Sequence, residues 1–156
     1  MTPSLVSRVL RLRGGDVLLL ARAQWALVRA RIVVRSRAVG SLAAPAEAAD
    51  EVQLARSRAA WPPRAARAEA LRLSEAVRQV ALHGPLRANC LVRSVALQRL
   101  LADAGITRGV LRVGVHRTAG TFEAHAWLEL DGRVVGDDQA NTGRYAPFDQ
   151  LQVRAR

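Results

Sequence analysis

The chain has 156 residues, a formal net charge of +11 and one cysteine. This length predicts a single domain with a real core, because a chain of this size buries about two thirds of its unfolded surface. One cysteine excludes an intramolecular disulfide and offers no cysteine cluster to a metal. A cytosolic protein is expected, since no secretory signal is convincing and the apolar run 17–21 is far shorter than the ~20 residues that span a bilayer.

The basic residues are all arginines, and they are scattered along the chain rather than clustered. Scattered charge supports non-specific attraction to nucleic acid and little else. Only three Trp, one Tyr and two Phe are available for stacking on bases. Nucleic acid is therefore not an expected partner, although a basic, non-catalytic binding module stays open as the non-enzymatic alternative.

The first half of the chain, about residues 1–80, is rich in Ala, Leu and Arg and predicts helices. A first helix is expected over about 16–38. It is apolar around much of its circumference, with arginines distributed among the apolar residues. Two interpretations remain open: a helix that covers the core while its arginines reach water, or a surface that docks a partner or a membrane.

Residues 41–60 predict a loose connector or a weak helix, and the sequence Trp61-Pro62-Pro63 marks a break, because proline cannot continue a helix. A second helix is predicted from Arg64 to Leu82. Gly84-Pro85 is expected to end it.

From Asn89 to Gly105 apolar residues recur at helical spacing. Asn89 is a suitable N-cap and Gly105 a suitable stop, so Cys90 is expected to begin this helix. Free N–H groups and the positive end of the helix dipole favour a thiolate there, and the same N–H groups can donate to an oxyanion. Cys90 is therefore a candidate nucleophile; the alternative is a small buried hydrophobe.

Residues 110–116 and 122–130 alternate between apolar and polar side chains, which predicts two strands joined by a turn at Ala119-Gly120. Asp131-Gly132 is a strong hairpin signal, and a return strand is expected from Arg133. The tail, with Tyr145, Pro147, Phe148, Leu151 and Val153, is expected to fold back on the core.

The three histidines, His83, His116 and His125, are candidates for a general base. His83 is near Cys90 in sequence but precedes Gly84-Pro85, and His116 is close to a turn. His125 lies in the middle of a predicted strand, where neighbouring strands hold a side chain firmly. This position favours His125.

Turn arithmetic places an acidic partner beside His125. A symmetric two-residue turn at 131–132 pairs position 125 with 138, and a loop one residue different brings 137 opposite. One of Asp137 and Asp138 is thus expected next to the imidazole, where a carboxylate fixes the tautomer and stabilises the imidazolium. The arithmetic does not choose between them. Asn141 is a weaker candidate, and two solvated aspartates are the structural alternative.

Several motifs in this order carry a family resemblance: Asn89-Cys90-Leu91-Val92-Arg93-Ser94, the helix end from Leu100-Leu101 to Gly105-Ile106, Leu111-Arg112-Val113-Gly114-Val115, and His125-Ala126-Trp127-Leu128-Glu129 through Asp131-Gly132 to Asp137. Over about residues 64–140 the chain resembles the lasso-peptide B2 proteins, the transglutaminase-like leader peptidases of lasso-peptide biosynthesis. It differs from many relatives at two positions: Leu86 stands where they carry Trp, and Gly136 where they carry Asn.

The resemblance implies an α+β fold with a papain-like, transglutaminase-like core, in which the Cys helix packs on a small antiparallel sheet. The catalytic core would cover 84–150, after the N-terminal helices. The family's catalytic cysteine falls on Cys90, its histidine on His125 and its aspartate on Asp137, which is why Asp137 is preferred here. Trp127 and Asn89 are expected to contact substrate.

The resemblance also implies a function: removal of the leader from a ribosomally made precursor peptide. The implied partners are that precursor, a small leader-binding B1 protein and a separate ATP-dependent cyclase that closes the ring. The chemistry needs no metal or organic cofactor. One alternative keeps the same three residues but makes the chain an acyltransferase or amidase on another substrate, because an amine can resolve an acyl-enzyme as well as water.

Overall fold

The computed structural model describes residues 14–36, 56, 58–118 and 120–147. Most of the segment 41–60 and the tail beyond Pro147, including Phe148, Leu151 and Val153, lie outside the described residues. The elements in chain order are α1 (Gly14–Ser36), α2 (Pro63–His83), α3 (Cys90–Asp103), β1 (Gly109–Thr118), β2 (Thr121–Leu130), β3 (Arg133–Val135), α4 (Gln139–Thr142) and β4 (Ala146–Pro147).

The described strands form one antiparallel sheet in the order β3-β2-β1-β4. Asp131 and Gly132 join β2 to β3 as a two-residue turn, with Leu130 opposite Arg133. Both turn residues have positive φ, 51° and 74°, as a type I′ hairpin requires. The hairpin predicted from the sequence is confirmed.

Helix α3 packs on β1 and β2. The strands contribute residues to the core, among them Leu111, Leu128, Leu130 and Val135. The Ser94 hydroxyl donates to the Ala126 carbonyl at 3.0 Å, which ties the start of α3 to β2. The expected α+β fold, with the Cys helix on a small antiparallel sheet, is confirmed.

Helix α1 packs against α2 and α3 and buries Ala23, Leu27 and Ala30 completely. It therefore covers the core with one face. Another face leaves Trp25 and Ile32 exposed, so core cover and a free surface coexist on this helix. None of the described helices combines the length and apolarity needed to cross a bilayer.

Two side chains, those of Trp61 and Arg108, connect the helices to the sheet. The Trp61 indole N–H donates to the Ala104 carbonyl at 2.9 Å, at the end of α3. The buried Arg108 side chain pairs with Asp131 at 2.9 Å and also donates to the Trp61 carbonyl. These bonds hold the helical layer, the loop after α3 and the β2–β3 hairpin together.

Candidate active site

Cys90 is the first residue of α3, as the sequence predicts. The Asn89 side chain accepts a hydrogen bond from the Val92 N–H at 2.9 Å, so the predicted N-cap is confirmed. The Asn89 carbonyl accepts from the Arg93 N–H at 3.1 Å. Among the described residues, nothing accepts a hydrogen bond from the Cys90 N–H or its thiol, and the side chain is partly exposed. The N–H group and the thiol of Cys90 are therefore both available to bind a ligand.

A small pocket opens beside Cys90, between α2, α3 and the end of β3. Its volume is about 20 Å³, which is room for little more than one water molecule. Only a small group, such as a single oxygen, fits inside. The lining residues are Ser74, Val77, Arg78, Cys90, Arg93, Ser94, Leu97, Ala126, Val135, Gly136 and Asp137.

His125 and Asp137 are joined by a short hydrogen bond, 2.6 Å from Nε2 to Oδ2. The other carboxylate oxygen of Asp137 accepts the Asp138 N–H at 2.7 Å, so both oxygens are held. Because Asp137 occupies Nε2, the nitrogen left for proton exchange on His125 is Nδ1. Asp137 therefore links the two sites: it lines the pocket of Cys90 and binds the imidazole.

The backbone explains why Asp137, and not Asp138, reaches the imidazole. The β2–β3 ladder ends at the pair Leu128–Val135, and Gly136 then adopts a φ of 79°. This turn brings Asp137 back to His125, whereas Asp138 accepts the Ala140 N–H at 3.0 Å as the N-cap of α4. Asn is the non-glycine residue that best tolerates this backbone region, so Gly136 in place of Asn keeps the bend.

Two aromatic rings hold His125 from the sides. The Trp127 ring lies nearly parallel to the imidazole with centroids 6.2 Å apart, and the Tyr145 ring lies 5.0 Å away. Trp127 is only 3% exposed, and its indole N–H donates to Glu129. Its contacts in the structure are thus internal, as are those of the Asn89 amide oxygen; substrate contact by either residue stays a prediction.

Tyr145 is the site residue that sequence reasoning missed. Strand β4 pairs Ala146 with Val115 and Pro147 with Gly114, and this short pairing brings Tyr145 to the imidazole. The available signal was Gly114, since a glycine inside a strand often marks a close approach of another segment.

The other candidates lie elsewhere. His83 is exposed at the end of α2. His116 contacts the Tyr145 ring edge-on at 5.8 Å. Asn141 lies in α4. Among the described residues, none of these three contacts His125 or Asp137 through a hydrogen bond.

A comparison with protein-family models gives one match: the transglutaminase-like superfamily, over residues 17–149. The match covers most of the chain, and the chain belongs to this superfamily. Its members are generally cysteine-dependent enzymes, peptidases and acyltransferases among them. Searches of curated proteins and of solved structures returned no match.

Proposed function

We propose that this chain is a cysteine peptidase that removes the leader from a lasso-peptide precursor, as the B2 proteins it resembles do. The observation that carries the proposal is the His125–Asp137 bond at the pocket of Cys90. Membership of the superfamily supports a cysteine-dependent reaction. The motifs between residues 64 and 140 support the particular family.

In the proposed first half-reaction, His125 Nδ1 takes the proton of the Cys90 thiol. The sulfur then attacks the carbonyl carbon at the leader–core junction and forms a C–S bond. The Cys90 N–H donates to the oxygen that gains charge. Asp137 holds the ring and stabilises the imidazolium. In this proposal the hydrogen bond between the Cys90 thiol and His125 Nδ1 forms when the substrate binds, since catalytic hydrogen bonds are often long in the free enzyme.

In the second half-reaction, the tetrahedral intermediate breaks its C–N bond, and the imidazolium gives its proton to the departing amine of the core peptide. The leader stays on Cys90 as a thioester. Water attacks this thioester while His125 takes a proton from the water, and the leader leaves with a new carboxylate. The thiol is restored, so the cycle balances without any cofactor.

A leader-binding B1 partner belongs to the proposal, with the ATP-dependent cyclase acting after cleavage. The exposed face of α1 supports a docking surface. Leu18, Trp25 and Ile32 are 64%, 62% and 61% exposed, and their spacing of seven residues aligns them along one stripe. Arg22 and Arg29 lie between them and favour an acidic partner surface. Trp25→Ala should weaken binding of the leader-binding protein, whereas Leu71→Ala, at another exposed apolar residue, should not.

The test of the function is incubation of the precursor peptide with the chain and the leader-binding protein, followed by mass spectrometry. The wild type should release a free leader, and Cys90→Ala, checked for folding by circular dichroism, should release none. A leader carrying an added amine, in place of a free carboxylate, would indicate the acyltransferase alternative. Cleavage by the Cys90→Ala variant would contradict both.

A further inference from the structure

The pocket beside Cys90 has a basic wall. Cys90, Arg93 and Leu97 lie on one face of α3, at helical spacings of three and four residues, and all three line the pocket. Arg78 of α2 lines it as well. The acidic residue among the lining residues is Asp137. A group that reacts with Cys90 therefore enters a pocket lined by Arg93, one helical turn along α3, and by Arg78 of α2.

Of these charged groups, Arg93 is the one without a partner among the residues that the structure describes. Asp137 uses Oδ2 for His125 and Oδ1 for the Asp138 N–H. Arg78 is bound through two nitrogens by Glu75, at 2.7 and 2.8 Å. Arg93 forms no ion pair with a described residue, and its Nε atom has no hydrogen-bond partner there. The residue as a whole is only partly buried, so a ligand in the pocket can approach it.

A guanidinium group without an anionic partner readily accepts a carboxylate, because charge-assisted hydrogen bonds are stronger than neutral ones. The guanidinium group presents its N–H groups as a planar fork that matches a carboxylate. The pocket that Arg93 lines has a volume of about 20 Å³, so it suits a compact group. A carboxylate is therefore the chemical group that best fits Arg93 at this pocket.

We propose that Arg93 determines specificity by binding a carboxylate of the substrate, supplied by an acidic side chain next to the scissile bond. The inference rests on the proposed function, in which Cys90 attacks that bond. Arg93 acts in it by substrate recognition and takes no part in the proton transfers.

Alkylation of Cys90 tests the carboxylate site without any knowledge of the natural substrate. Iodoacetate and iodoacetamide both form an S–C bond and release iodide, but only iodoacetate carries a carboxylate. Cys90 is the one cysteine in the chain, so incorporation reports on it alone. The rate ratio of iodoacetate to iodoacetamide should be about fivefold or more above that of N-acetylcysteine at low salt.

Matched variants separate the site from the overall positive charge of the protein. Arg93→Gln should bring the ratio close to that of N-acetylcysteine, and Arg93→Lys, which keeps the charge but loses the fork, should give an intermediate value. Arg99→Gln removes the same charge from the same helix, at a residue that lines a different pocket, against α1. It should leave the ratio nearly unchanged. A wild-type ratio equal to that of N-acetylcysteine, or an equal drop in Arg93→Gln and Arg99→Gln, would overturn the proposal.

A second experiment relates the site to turnover, using the p-nitrophenyl esters of benzyloxycarbonyl-glutamate and benzyloxycarbonyl-glutamine. The wild type should prefer the glutamate ester in kcat/KM by about fivefold, and Arg93→Gln should lose that preference. A control tests whether Arg93 binds a C-terminal carboxylate instead of a side chain: glutamine-containing peptides with a free or an amidated C-terminus are compared as inhibitors. If the free form binds more tightly and the glutamate ester is not preferred, the assignment to an acidic side chain is overturned. Turnover of neither ester would contradict the proposed function, whereas equal turnover of both would contradict only the role of Arg93.

Discussion

Gly114 and His125 are direct partners in the antiparallel ladder between β1 and β2. A Cβ atom at position 114 would lie 2.9 Å from the Trp127 ring and 3.0 Å from the Tyr145 Cβ. Because Gly114 has no side chain, the rings of Trp127 and Tyr145 can both pack beside the imidazole. The position of the candidate base, His125, therefore depends on Gly114, a residue without a functional side chain.

Gly114→Ala should therefore reduce activity and stability together. The added methyl group would clash with the Trp127 ring, with Tyr145 beside His125 and with the Ala146 carbonyl oxygen. Overpacking of this kind costs about 1–3 kcal/mol. Ester turnover and urea denaturation measure the two effects. Gly15→Ala is the control, because a Cβ there meets nothing within 4 Å and alanine is the better helix former. Full activity in the Gly114 variant would show that the two rings do not position the imidazole.

Asp137 and Asp138 are adjacent, yet they should respond differently to the same substitution. Asp137→Asn replaces a carboxylate bonded to His125 at 2.6 Å and should lower kcat by about a hundredfold or more, since the ring loses the group that fixes its tautomer. Asp138→Asn leaves a good N-cap on α4 and should keep near-normal turnover. Similar losses in both variants would remove Asp137 from its proposed role.

Asn89 should stabilise α3 through its side chain. Asn89→Ala removes the acceptor for the Val92 N–H and should lower the free energy of unfolding by about 1 kcal/mol, whereas Asn89→Ser, which can still cap, should keep most of it. Urea denaturation of both variants measures the difference. If alanine and serine cost the same, the cap does not stabilise the start of the Cys90 helix.

The pair formed by Glu75 and Arg78 should make a small, pH-dependent contribution to stability. Hydrogen bonds from Arg78 and Gln79 lower the pKa of Glu75 from 4.5 to about 2. Because the folded state has the lower pKa, the contribution is complete above pH 4.5 and is lost as the pH falls towards 2. The Glu75 side chain is 53% exposed, so solvent screening keeps the effect small. Thermal unfolding should show Glu75→Gln slightly destabilised at pH 7 and matching the wild type near pH 2; an equal difference at both pH values would contradict this.

Local signals predicted much of the fold. The N-cap at Asn89, the end of α3 before Gly105 and the turn at Asp131-Gly132 each depend on a few neighbouring residues, and all three occur in the structure. The second helix, expected from Arg64 to Leu82, runs from Pro63 to His83. Such features can be predicted from the sequence because capping and turn formation depend on short segments of the chain.

The geometry of the candidate site was harder to predict from the sequence, because it depends on where the pairing of β2 with β3 ends and on segments that are distant in the chain. Turn arithmetic alone pointed to 137 or 138, since it assumes that the ladder continues, whereas the bend at Gly136 ends it at Val135. Trp127 lies on the strand face that alternation marks as polar, yet it is buried. Its neighbour Tyr145 arrives through β4, a pairing of two residues that has no periodic signal.

The central claim is that Cys90 forms a covalent acyl intermediate with the help of His125. Intact-protein mass spectrometry after brief reaction with benzyloxycarbonyl-glutamate p-nitrophenyl ester and acid quenching tests it most directly. The account predicts one added acyl group in the wild type, located on the peptide that contains Cys90. It predicts no addition in Cys90→Ala and a much slower addition in His125→Ala. An unmodified wild type, or an acyl group that still appears in Cys90→Ala, would contradict the account.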